Sequence, residues 1–302
     1  MFELWIPLTI AGAFFQNLRS ALQKHLKSRL STAGAAYVRF FYAWPFAVVY
    51  CWGLAAFGGL PLPAPNPKFL LYCFLGGLSQ IVFTILLLWL FSFRNFAVGT
   101  TYSKTETAQV AILGLLILGD NLSAVAIVAI AVSLIGVFAL SVVDARITVR
   151  SLFTGLAEKP TLIGLVCGAF LGASVVFFRG ASLALGDGDF LMRAAFTLAV
   201  AVVAQTLMMG VYLAWREPGQ ITAVVRNWRP ALSVGVAGVL ASIFWFSAFT
   251  LENAALVRAV GQIELVFTFI ASVVFFRERT KAIEIVGIAL IVGGILILVL
   301  GR

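Results

Sequence analysis

Four charged residues lie deep inside apolar runs of this chain: Lys104, Glu106, Arg258 and Glu264. A full charge near the centre of a bilayer costs at least about 2.5–3.5 kcal/mol, so such groups turn toward a bundle interior or a wet cavity. Lys104 and Glu106 are two residues apart and therefore point to different sides of one helix. Each must find a partner on another segment, and Lys104 with Glu264 is one expected pairing. The competing role for these charges is a helix-to-helix ion pair that fixes packing. Further polar and aromatic groups lie at depth: Gln16, Asn17, Arg19, Ser79, Gln80, Tyr102, Gln109, Ser174, Ser242, Trp245, Ser247 and Gln262. The chemistry such a set supports is non-covalent binding of a small polar solute.

Bond-making chemistry has little to work with. The three cysteines, Cys51, Cys73 and Cys167, sit in apolar runs without zinc or disulfide spacing, and the single histidine, His25, lies among lysines at the end of the first run. There is no phosphate-binding glycine loop, no dinucleotide fingerprint and no His-Glu-x-x-His. The chain is therefore not expected to be an enzyme, and no cofactor or metal is expected.

The elements that carry these residues follow from composition. With 62% hydrophobic and 11% charged residues, the chain departs from soluble domains, which are roughly 45–50% apolar and about 25% charged. A backbone in hydrocarbon satisfies its own polar groups as helix, and the runs lack the alternation of barrel strands. Ten runs have spanning length, near 4–24, 34–57, 69–91, 97–118, 123–143, 161–184, 190–214, 231–251, 255–276 and 282–300. The expected fold class is all-α integral membrane: ten transmembrane helices as two inverted five-helix repeats around a central cavity.

The repeats show in the residues. One offset of 158 pairs Glu106 with Glu264, Asp120 with Glu278 and Gly136 with Gly294. Five spans per half is an odd number, so the second half (151–302) enters the membrane upside down relative to the first (1–150). Loop charges agree: the loop after the fourth run reads GDN and its counterpart reads RERTK. Lys27, Arg29, Arg94, Arg146, Arg150, Lys159, Arg216, Arg226, Arg229, Arg277, Arg279 and Lys281 fall on one side, against Lys68 and Arg302 on the other. Positive-inside bias makes the richer side cytoplasmic and both termini periplasmic. The basic residues are scattered through loops, so nucleic acid is not an expected partner. The fifth and tenth runs are nearly bare of polar groups, which suits lipid contact, and Gly287 with Gly293 and Gly294 suggests a monomer or a weak dimer through these two spans.

Two tracts, AQVAILGLLILGDNLSAVAIVAIAVSLIGVFAL (108–140) and IELVFTFIASVVFFRERTKAIEIVGIALIVGGILIL (263–298), resemble the end of the EamA repeat of the drug/metabolite transporter superfamily. In both, an apolar span ends in an acid, Asp120 or Glu278, before a short turn and a Gly-rich span. The resemblance covers essentially the whole chain as two repeats. It implies a ten-span secondary transporter of the bacterial inner membrane, an exporter of aromatic or other neutral amino acids and similar metabolites working by alternating access. A channel-like facilitator, or an exporter of other metabolites or drugs, is the alternative. Such repeats commonly carry a proline where this chain has Thr107 to Ala111 and Leu265 to Phe269, and neither stretch contains one.

For an amino acid, Glu106 or Glu264 is the expected acceptor for the ammonium, with Gln80, Gln262 and Lys104 as carboxylate donors. Tyr102, Phe244 and Trp245 offer flat contact to a side chain, and Asn17 and Ser174 add polar groups at depth. The residues leave open proton exchange and facilitated diffusion.

Overall fold

The computed structural model describes residues 3–26, 30–90, 102–144, 158–274 and 281–301, all of whose regular structure is helical. The expected acid Glu278 and the basic loop residues Lys27, Arg29, Arg94, Arg146, Arg150, Arg277, Arg279 and Arg302 lie outside the described residues.

In chain order the helices are α1 (Trp5–Leu26), α2 (Thr32–Phe41), α3 (Trp44–Ala56), α4 (Pro67–Leu90), α5 (Glu106–Leu118), α6 (Ala124–Asp144) and α7 (Lys159–Ala184). They continue as α8 (Phe190–Arg216), α9 (Gln220–Arg226), α10 (Trp228–Leu251), α11 (Ala254–Gly261), α12 (Ile263–Val274) and α13 (Ala282–Leu300). Among the described residues, 7 stretches are long and apolar enough to cross a membrane: Thr32–Ala56, Pro67–Leu87, Ala124–Ser141, Lys159–Ala184, Phe190–Arg216, Trp228–Leu251 and Ala282–Leu300. The other three expected spans are not among them, and residues 97–101 of the fourth and 275–276 of the ninth lie outside the described residues. α1 carries Gln16, Asn17, Arg19 and Gln23 in its second half, α5 has only 13 residues, and the ninth run is divided into α11 and α12.

The break between α2 and α3 has a covalent cause. Pro45 lacks an N–H and its ring crowds the carbonyl four residues back, and α2 ends at that residue, Phe41. Side-chain caps begin other helices: Ser31 accepts from the Gly34 amide, Asp189 from Leu191 and Asn253 from Ala255. Arg179 closes one helix from outside, donating to the carbonyls of Phe249 and Glu252 at the end of α10.

The chain forms two compact units, each drawing on both sequence halves: Met1–Ile81 with Phe177–Glu252, and Val82–Val176 with Asn253–Arg302. In the first unit, α1 lies along α10 and the α2–α3 pair packs against α8. Gly12 allows the first contact, since a Cβ there would meet the Trp245 ring at 3.3 Å. Fully buried Val38, Leu213, Val224 and Val234 build its core.

In the second unit, α6 lies along α13 and α5 packs against α11. The α6–α13 contact is backbone on backbone: a Cβ on Gly136 would sit 2.6 Å from the Gly287 carbonyl oxygen, and one on Gly294 would collide with Ser133 Oγ. Gly287 and Gly294, expected as a face for a second copy, are thus used inside the chain, while Gly293 has nothing within 4 Å.

Candidate functional site

Among the described residues, two constellations of polar side chains occur, one in each unit.

In the second unit, the helix is interrupted twice at positions related by the offset of 158. Residues 104 and 105 form a turn before α5, and residue 262 forms one between α11 and α12. At both places the backbone tightens to three-residue bonds, Thr105 N–H to the Tyr102 carbonyl at 3.1 Å and Gln262 N–H to the Ala259 carbonyl at 3.3 Å. No proline is involved. Side chains complete the first break: Thr105 Oγ1 donates to the Tyr102 carbonyl at 2.7 Å, and Gln109 Nε2 donates to Thr105 Oγ1 at 2.8 Å.

Each repeat acid falls in the first turn of the helix that restarts after its break, Glu106 in α5 and Glu264 in α12. Unpaired N–H groups and the helix dipole favour a carboxylate there. Both acids also face a cation. Arg258 of α11 donates to Glu106 Oε1 in a pair whose side chains are only 8% and 3% exposed. Lys104 Nζ lies 3.9 Å from Glu264 Oε1, with side chains 41% and 15% exposed. The expected Lys104 to Glu264 pairing is present, so Glu264 does have a local counter-charge.

Gln262 joins the second break to α5, its Nε2 donating to Thr107 Oγ1 at 2.9 Å. Glu106 Oε2 and Gln262 Oε1 are buried without a hydrogen-bond partner among the described residues. Tyr102 is buried edge-on to Phe138 with ring centroids 6.2 Å apart. Ser174 is fully buried, and its hydroxyl donates to the Leu171 carbonyl one turn back at 2.8 Å.

The first unit holds a small cavity of ≈ 30 Å³, room for about one or two water molecules. Its polar lining is Arg19, Arg39, Gln80, Gln205 and Ser242. Gln205 Nε2 donates to Gln80 Oε1 at 2.7 Å, joining α8 to α4. The remaining expected residues of this unit are Asn17, half-buried on α1, and two aromatic side chains already matched with rings. Phe244 stacks on Phe15 at 5.7 Å, and Trp245 stacks on Phe249 at 5.5 Å.

Of the expected site residues, Glu264, Glu106, Lys104, Tyr102, Gln262 and Ser174 thus belong to the second unit, and Gln80, Trp245, Phe244 and Asn17 to the first. Lys104, Glu106, Gln262 and Glu264 form one constellation together with Arg258 and Thr107. Arg39 and Gln205 were not among the expected site residues. Their signal was available, since each is a strongly polar residue in the middle of an apolar run.

Comparison with known proteins supplies a family direction. Residues 159–300 match the model of the EamA-like transporter family. No curated protein matches the sequence. A solved crystal structure, described only as that of a protein, is similar over 99% of this chain and 97% of its own, with a TM-score of 0.74 and 14% sequence identity. That likeness is one of fold. The family match points to multi-pass membrane transport of small metabolites and agrees with the apolar helices.

Proposed function

We propose that this protein is a secondary transporter of the bacterial inner membrane that exports small metabolites, amino acids among them, by alternating access. The observation that carries the reading is the pair of helix breaks at equivalent repeat positions, each followed within one turn by an acid. Discontinuous helices at membrane depth place charged side chains and backbone groups where a solute can meet them. A protein that only needed to span the bilayer has no use for them.

Ten spans in two inverted repeats belong to the same proposal. Its support is the pattern of contact within each unit: α5 packs on α11 and α6 on α13 in the second, and α2–α3 on α8 in the first. In these three contacts a segment meets its counterpart from the other sequence half, as segments beside a two-fold axis do, whereas α1 lies along α10, the counterpart of α4. Both termini lie in the periplasm in this reading, and the outer faces of α6 and α13 meet lipid or a second copy.

Counterflow in proteoliposomes tests the function. Vesicles preloaded with unlabelled phenylalanine should take up the labelled compound transiently, with saturation and acceleration by solute on the far side. Uptake that rises linearly with concentration and ignores the far side describes a channel and refutes alternating access.

A further inference from the structure

The cavity of the first unit carries charge of one sign. Arg19 from α1 and Arg39 from α2 both line it, and among the described residues no carboxylate does. Gly238 of α10 lets the Arg19 side chain and the Arg39 backbone come close: a Cβ there would lie 3.4 Å from Arg19 Cδ and 3.9 Å from the Arg39 carbonyl oxygen. The Arg39 guanidinium lies 4.9 Å over the ring of Phe40, its neighbour in the chain. Two cations sharing one small space repel each other, and an anion placed there relieves the repulsion.

The rest of the lining has the matching polarity. Gln205 Nε2 gives one N–H to Gln80 Oε1, and a side-chain amide nitrogen carries a second. Ser242 supplies a hydroxyl that can turn to donate. Planar guanidinium groups with amide and hydroxyl donors are the set that recognises a carboxylate or phosphate through paired, charge-assisted hydrogen bonds. The acids of the second unit, by contrast, already face Arg258 and Lys104. The dimensions suit a head group and not a whole metabolite, since ≈ 30 Å³ is about the space of one or two waters.

We infer that this cavity is an oxyanion subsite that takes the carboxylate of the transported solute. The assignment rests on the transporter reading above and deepens it: the solute class is carboxylate-bearing, and organic acids are favoured over amines. An anionic phospholipid head group shares the same chemistry, so the test must separate a soluble from a lipid source.

The full chain is placed in phosphatidylcholine nanodiscs, and binding of succinate, phenylalanine and phenylalanine methyl ester is followed by calorimetry. Both carboxylates should bind saturably and the ester at least tenfold more weakly. Arg39→Gln should weaken carboxylate binding tenfold or more, and Arg39→Lys, which keeps charge without the fork, should fall between. If Arg39→Gln does not elute as a single folded species, Ser242→Ala should show a smaller loss in the same direction.

Equal binding of acid and ester, no effect of the folded variants, or no saturable binding of either carboxylate overturns the subsite. A second arm adds phosphatidylglycerol. Stabilisation by that lipid that succinate cannot displace assigns the cavity to a head group and overturns the solute assignment. Counterflow separates the two layers of inference. Carboxylate binding without flux refutes transport and leaves the subsite standing, whereas equal flux of acid and ester refutes the subsite and leaves transport standing.

Discussion

Replacing Glu106 by Gln should destabilise this protein far more than replacing Glu264 by Gln, although the two acids occupy the same place in their repeats. Glu106 and Arg258 are 3% and 8% exposed, and the Arg258 guanidinium donates directly to the Glu106 carboxylate. Removing one partner of such a pair leaves the other charge buried, which costs about 3–5 kcal/mol. Losing the negative charge in the first turn of α5 adds roughly 0.3–1 kcal/mol. Glu264 faces a 41% exposed lysine at 3.9 Å, a geometry that contributes about 0–1 kcal/mol. Unfolding in mixed micelles with increasing dodecyl sulfate, for Glu106→Gln, Arg258→Met and the double variant, measures the coupling. The double variant should recover most of the loss, with an interaction term of about 2–3 kcal/mol. Additive single effects, or a larger coupling between Lys104 and Glu264, would refute the assignment of the buried pair.

Alkaline phosphatase fused after Arg302 should be active and a fluorescent protein in its place dark; the reverse pair of results overturns the orientation drawn from the lysine and arginine count. Gly136→Leu should destabilise the folded protein by about 1–3 kcal/mol or more, because a Cβ there meets the Gly287 carbonyl oxygen at 2.6 Å, while Gly293→Leu, at a position with nothing within 4 Å, should leave the melting temperature nearly unchanged. Cys51, Cys73 and Cys167, each 5% exposed or less, should resist maleimide in the folded state and react after dissolution in dodecyl sulfate; rapid labelling of the native protein contradicts their burial.

The helical class was legible because hydrocarbon permits little else, and the fourfold polar set Lys104, Glu106, Gln262 and Glu264 was legible because each residue is costly where it sits. The Lys104 to Glu264 pairing could be reached from repeat geometry. The Arg258 to Glu106 pair could not, since their separation of 152 residues falls short of the repeat offset and only the packing of α11 on α5 brings them together. Helix breaks were sought through proline, the one residue that breaks a helix by its own covalent structure. That logic works at Pro45 and fails at residues 104–105 and 262, where hydroxyl and amide side chains stabilise a turn that no single residue dictates. Arg39 was not singled out, because its significance depends on Arg19 and Gln205 arriving from other helices.

The distance in sequence between Glu106 and Arg258 also has a meaning in time. At about 5–20 residues per second, the ribosome needs roughly 8–30 s to pass from one to the other, a gap of 152 residues. Throughout that interval the nascent first half carries a carboxylate whose guanidinium has not yet been synthesised. Until the second half emerges, the acid has to stay protonated, hydrated or beside another polar group.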